Sequence, residues 1–247
     1  MRYLAPEEIK QNKNLVKNKF EIRPDRKLLG LKGKNVEIFG KAVADKDAKV
    51  LDFGTGSGAF LKAIHGRDFK NIYGCDIDDY VAKEIKPILR DFKSFDASFD
   101  KFPYADKDFE VVTAWEVFEH LENPHNAIRE ISRILKPEGL LIFSVPNIFH
   151  IVSRLIFLKR GLFPRWNETN NHISVFPRGI FEKAFLKYFD LVQEGYVHSK
   201  IALPILNKIR FFPENKWFGN WVYYVLKRKT DQAQLESSKE YGNTDED

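Results

Sequence analysis

Three sets of residues in this chain have types and spacings that can do chemistry. The first is Asp52-x-Gly54-x-Gly56-x-Gly58, with Thr55 and Ser57 between the glycines. Glycine at alternate positions lets the backbone take φ > 0 and removes every Cβ that would hold a ligand off. Asp52, two residues before the first glycine, brings a carboxylate close enough to suit a ligand with a cationic amine. The second set is Asp76 with Ile77, about 20 residues past the glycines, where nucleoside-binding α/β folds set an acid on ribose hydroxyls. The third is Glu116-x-x-Glu119-His120. Its i, i+3 and i+4 spacing would set two carboxylates and an imidazole on one helical face. His120 is the first choice as general base, with Glu119 beside it, because imidazole titrates near working pH. The other reading makes Glu116, Glu119, His120 and a later His172 the ligands of Mg²⁺, Mn²⁺ or zinc.

These residues need elements to hold them. An apolar run from Lys49 to Phe53 stops at the glycines, and a helix-compatible segment follows from Ala59 to Ile64, the order of strand, tight turn and helix. A second strand over Ile72–Cys75 ends at Asp76. The pattern then predicts a helix over Tyr80–Phe92 interrupted by Pro87, a short third strand within Ser94–Phe99 carrying Asp96, and an apolar fourth strand over Phe109–Trp115. An amphipathic helix over Asn126–Leu135 is stopped by Lys136-Pro137-Glu138-Gly139, and a fifth strand follows at Leu140–Val145. Beyond it come a helix over Ile180–Phe189 and strands at Leu191–Val197 and Trp221–Lys227. Strands alternating with helices predict an α/β fold with a doubly wound, seven-stranded, mostly parallel sheet whose last strand is antiparallel. Ligands in such sheets sit beyond the carboxyl ends of the strands, where Gly54, Asp76, Asp96 and Trp115 all fall.

The glycine spacing is not the G-x-G-x-x-G of a dinucleotide site, which argues against a nicotinamide dehydrogenase. The run D-x-G-x-G-x-G followed by the Asp76 strand resembles motifs I and II of the class I S-adenosylmethionine-dependent methyltransferases. Asp96-Ala97, Phe102-Pro103, Asp108-Phe109-Glu110-Val111-Val112, Glu119-His120-Leu121 and Leu135-Lys136-Pro137-Glu138-Gly139 extend the likeness. They resemble the methyltransferase type 11/12/23 group that includes the ubiquinone-biosynthesis O-methyltransferases, over residues 49–147. The resemblance implies S-adenosylmethionine as cofactor, with Asp96 on the adenine amino group, the Ala97 N–H on a ring nitrogen and Trp115 near the methionine end. Glu116-x-x-Glu119-His120-Leu121 with a later histidine also resembles the metal site of the small-RNA 2′-O-methyltransferases, where two glutamates and two histidines hold the metal. Around His172 only the Asn-His pair with an aromatic after it is similar.

Length and composition set the frame. At 247 residues, 43% hydrophobic and 30% charged, the chain reads as one soluble globular domain over 1–229. Within it, 1–48 is an N-terminal helical region, and 148–178 and 199–220 are insertions on the substrate side. A tail over 230–247, net −5, reads as disordered and leaves +10 on the rest. One cysteine, no leader-like apolar stretch and no run of about 20 apolar residues fit a cytoplasmic protein. Ile148–Phe163 is apolar with Arg154, Lys159 and Arg160 interspersed; it reads as a helix packed on the sheet, as a lid, or as an interfacial helix touching a membrane surface.

A methyl on a sulfonium is already activated, so the protein needs mainly to align the acceptor and take its proton. The expected reaction is O-methylation of a hydroxyl on a small-molecule, lipid-linked or glycan acceptor. A metal-dependent RNA ribose 2′-O-methyltransferase is the alternative, and the scatter of the lysines, with no concentrated basic patch, does not favour a nucleic-acid partner. A catalytically silent cofactor-binding regulatory module is the reading from another class.

Overall fold

The computed structural model describes residues 30–166, 170–198, 213–231 and 233–234. The 1–29 part of the N-terminal helical region, the 199–212 part of the second insertion and the tail from 235 onward lie outside the described residues. The strands are β1 Val50–Phe53, β2 Ile72–Asp76, β3 Asp91–Ser94, β4 Phe109–Trp115, β5 Leu135–Pro146, β6 Phe189–Val197 and β7 Trp221–Arg228. They form one sheet in the order β3-β2-β1-β4-β5-β7-β6. Every pair is parallel except those made by β7, which runs antiparallel to both β5 and β6. The doubly wound, mostly parallel sheet expected from the strand–helix alternation is the one observed.

Side-chain alternation shows why the sheet is buried on both faces. Leu51 and Phe53, Val112 and Ala114, Leu141 and Phe143, and Tyr224 and Leu226 face one core. Val50, Val111 with Trp115, Ile142 and Val225 face the other. The first core is covered by α3 (Pro124–Ile134) and α5 (Arg178–Phe185), the second by α1 (Lys34–Ala42) and α2 (Ala59–His65). Phe143 stacks on Phe185 with ring centroids 4.7 Å apart, and Phe39 meets the edge of Phe69 at 4.9 Å. Each such ring contact adds about 0.5–1.5 kcal/mol to its area burial.

Several elements differ from expectation, two of them for a clear local reason. The helix expected over Tyr80–Phe92 is only a 3₁₀ turn at Lys86–Ile88. Pro87 lacks the N–H a helix needs, and Asp78 and Asp79 accept from the N–H groups of Asp79 and Val81, offering the backbone a non-helical partner. β3 starts at Asp91 rather than Ser94; it is an edge strand with no buried side chain, so it leaves little hydrophobic signal. The strand over 140–145 also extends back to Leu135, with a register shift against β4 between Phe109 and Val111. Asp231, in the expected tail, pairs with Arg228 at 2.7 Å and Lys107 at 2.6 Å.

The ten residues of α4 (Ile151–Arg160) include none that is buried. Among the described residues no helix is long and apolar enough to cross a membrane.

Candidate active site

At the carboxyl edge of β1 the chain turns through three left-handed glycines, Gly54 (φ 77°), Gly56 (φ 52°) and Gly58 (φ 83°). A Cβ on Gly54 would lie 2.4 Å from Val117 Cγ2, so sterics and φ both require glycine there. The turn is fastened to β2. The N–H groups of Gly54 and Thr55 donate to the Cys75 carbonyl at 2.9 and 3.0 Å. Thr55 Oγ1 donates to the Asp52 carbonyl at 2.7 Å and accepts from Cys75 N at 2.9 Å.

Asp76 closes the other side. Its Oδ2 accepts from Gly56 N at 2.8 Å and its Oδ1 from Ile77 N at 2.7 Å. Burial pushes its carboxyl up to about 6, against the pull of those two N–H donors. A carboxylate offers about four lone-pair sites, so two remain for ribose hydroxyls. Asp52 lies beneath the turn, buried, with Thr113 Oγ1 donating to its Oδ1 at 2.6 Å. Asp52 faces Thr113 because the register of β1 with β4 pairs those two positions. Burial raises the Asp52 carboxyl to about 7, Thr113 opposes the rise and Asp76 adds to it.

Asp96 shapes the turn after β3: its Oδ1 accepts from Ser98 N at 3.0 Å and its own N–H donates to Asp100 Oδ2 at 2.9 Å. Ala97 is buried beside it, its carbonyl accepting from Asn126 Nδ2 at 3.1 Å. Trp115 ends β4 against Phe60, ring centroids 5.5 Å apart, and its buried Nε1–H has no hydrogen-bond partner among the described residues. A turn that excludes Cβ atoms, flanked by one buried and one half-buried carboxyl and an orphaned indole N–H, fits a bound nucleoside carrying a cationic group.

The third set of residues is arranged differently from the spacing argument. Phe118–His120 is a single 3₁₀ turn, and Glu116 takes φ 56° before it. The three side chains therefore do not share a helical face. Glu116 accepts from Trp221 Nε1 and lies 3.9 Å from Arg165 Nη1. Glu119, His120 and His172 do converge: one ligand atom from each lies within 4.8 Å of the others. Glu116 lies outside that group.

The convergence is made by a loop. Ile173 N and Ser174 N donate to the Glu119 carbonyl at 2.8 and 3.0 Å, and Ser174 Oγ donates to the Leu121 carbonyl at 2.8 Å. His120 Nδ1 is 3.1 Å from the Asn171 carbonyl. A carbonyl only accepts, so this contact assigns the proton to Nδ1 and the lone pair to Nε2. Glu119 is fully buried, and the His120 and His172 rings meet edge-on at 4.6 Å. Carboxylate and two imidazoles suit zinc or Mn²⁺. Sequence reasoning missed Arg165 and Asn171. Burial lowers the Arg165 guanidinium while Glu116 and Glu119 hold it up, and it lies 4.9 Å over the Trp221 ring.

Known proteins share this architecture. The Methyltransferase domain family matches residues 25–193. A ubiquinone biosynthesis O-methyltransferase of Thiobacillus denitrificans is 32% identical over 104 residues, 40% of this chain and 44% of that protein. A glycine/sarcosine/dimethylglycine N-methyltransferase of Actinopolyspora halophila is 28% identical over 118 residues, 43% of this chain and 20% of that protein. The chain thus spans less than half the length of either relative. The fold of an S-adenosylmethionine-dependent methyltransferase of Thermotoga maritima superposes with TM-score 0.59 at 15% identity, over 87% of this chain and 98% of that one. The chain therefore belongs to the Methyltransferase domain family of S-adenosylmethionine-dependent enzymes.

Proposed function

We propose that this chain moves the methyl group of S-adenosylmethionine to a hydroxyl of a small-molecule, lipid-linked or glycan acceptor, with His120 as general base. The observation that carries the reading is the His120 Nδ1 contact with the Asn171 carbonyl, which leaves the basic lone pair on Nε2 at the same sheet edge as the glycine turn. Buried Glu119 favours the imidazolium that forms when the acceptor proton arrives. In this reading Gly54, Thr55, Gly56, Ser57 and Gly58 pass under the cofactor, Asp76 and Ile77 hold the ribose, and Asp96 and Ala97 meet the adenine. Trp115 offers its N–H at the methionine end. The cationic cofactor makes the ionised form of Asp52 the favoured one.

A radiolabelled methyl assay on extracts fractionated into small polar, lipid, glycan and RNA pools tests this. Label in a hydroxyl-bearing acceptor, lost in His120→Ala, is the expected result. Label only in amines would overturn the O-methyl assignment, and cofactor binding with no label in any pool would favour the regulatory module.

A second reading rests on the convergence of Glu119, His120 and His172. Those residues fit a divalent cation, which when bound would lower the pKa of an acceptor hydroxyl directly; His120 would then be a ligand and not the base, and an RNA ribose becomes an eligible acceptor. Elemental analysis of the purified chain, with Glu119→Ala and His172→Ala alongside, decides between them. Activity indifferent to chelator and no metal in the protein would end this second reading.

A further inference from the structure

Helix α4 is the part of the molecule its own core leaves unexplained. A ten-residue helix gains little from propensity alone and normally survives by burying one face, yet none of its residues is buried. Its ends are secured instead. His150 Nδ1 accepts from Val152 N at 3.1 Å, Ile151 N donates to the Trp217 carbonyl at 2.8 Å, and Gly161 closes the C-terminus at φ 69°. The apolar residues point outward as a stripe: Val152 (50% exposed), Leu155 (58%), Leu158 (81%) and, beyond the helix, Leu162 (40%) follow one another at steps of three or four. Trp217, 39% exposed, lies at the edge, with the Arg154 guanidinium 4.2 Å over its ring.

The segment that carries the stripe is basic: residues 148–166 hold Arg154, Lys159, Arg160 and Arg165 and no acid. An outward apolar stripe with cations interspersed and an aromatic at its rim is the composition of a helix lying in the headgroup layer of an anionic bilayer. We propose that α4 is a docking surface for anionic membrane. The helix starts five residues past the end of β5, at the carboxyl edge of the sheet. Ring contacts continue inward, stacked from Phe157 to Phe163 at 4.8 Å, then edge-on to Trp166 at 6.0 Å and to His172 at 5.2 Å. Docking therefore turns the edge that carries His120 and His172 towards the lipid surface. The proposal goes beyond methyl transfer and deepens it only in favouring a lipid-linked acceptor.

Flotation of the full chain with vesicles of phosphatidylcholine alone, and of equal parts phosphatidylcholine and phosphatidylglycerol, tests the proposal. Recovery with the anionic vesicles only is expected. Lys159→Glu/Arg160→Glu should lower the apparent partition coefficient roughly tenfold or more, and Leu155→Glu/Leu158→Glu should abolish recovery. A rise in melting temperature with S-adenosylmethionine in both variants shows that they remain folded, and the basic-pair variant carries the test if the other does not. No recovery with either vesicle would overturn the proposal, as would recovery unaffected by both variants. A dimer in solution that Leu158→Glu splits, without flotation, would assign the stripe to a second copy of this chain and overturn it too. Flotation without any cofactor-induced melting shift would sink the methyl-transfer reading and leave the docking surface standing.

Discussion

The two halves of the site are built by opposite means. Under the glycine turn, neighbouring strands do the holding: the Cys75 carbonyl and the side chains of Asp76 and Thr113 fix the turn and Asp52 at distances of 2.6–3.0 Å. Around His120 a loop does it, since residues 170–174 reach the 3₁₀ turn through main-chain bonds to Glu119 and through the Asn171 carbonyl. A sheet edge is stiff, and a loop docked by a few bonds opens at lower cost. The first half is therefore expected to govern cofactor affinity and the second turnover.

The largest effect expected on this contrast is Gly54→Val, whose Cβ would begin 2.4 Å from Val117. Melting curves should lose the rise caused by S-adenosylmethionine altogether; a rise equal to that of the parent chain would break the contrast on its rigid side. Next comes His120→Ala, which should lower kcat by about 10²–10⁴-fold as general bases do. Calorimetry should find its cofactor affinity within roughly twofold of the parent, a margin below about 0.5 kcal/mol, and a large drop would break the contrast on its mobile side.

Thr113→Val is a smaller and sharper probe. It strips Asp52 of its hydroxyl donor and should cost about 1–3 kcal/mol in chemical denaturation, more at pH 8 than at pH 5. Asp52→Asn reports through pH. Folding raises the Asp52 carboxyl to about 7, from about 4 in the unfolded chain, so between those values the native state binds more protons. The stability this residue contributes is full below about pH 4 and declines as pH rises to 7. The melting temperature of Asp52→Asn should accordingly fall less between pH 5 and pH 8, and equal slopes would count against a protonated Asp52. The least of these effects is expected from Ser174→Ala, about 1 kcal/mol of loop docking, seen as a modestly lowered kcat with cofactor affinity unchanged.

What could be read beforehand follows the same division. The glycine turn and Asp76 are legible because strand, turn and helix are contiguous in sequence and each glycine answers a local need. β4 and α3 are legible through their apolar periods. Glu116 misled because spacing alone assumes a helix, whereas a left-handed φ and the bonds to Trp221 and Ser144 turn its side chain elsewhere. Asn171 meets His120 across 51 positions, and Arg165 meets Glu116 across a similar stretch. No local pattern encodes either contact.

The position of β7 has a consequence for how the protein is made. Among the described residues β6 pairs with β7 alone, and β5 has β7 on its outer edge. A chain leaving the ribosome amino end first therefore carries an open β5 edge and an unzipped β6 until Trp221–Arg228 slides between them, and open edges recruit other chains. Trp221 also donates to Glu116 at the turn beyond β4, so we expect that corner of the candidate site to mature with β7. Translation halted after Asn220 should yield a species that protease trims from Phe189 onward; resistance equal to the full chain would show that the sheet closes without its last insert.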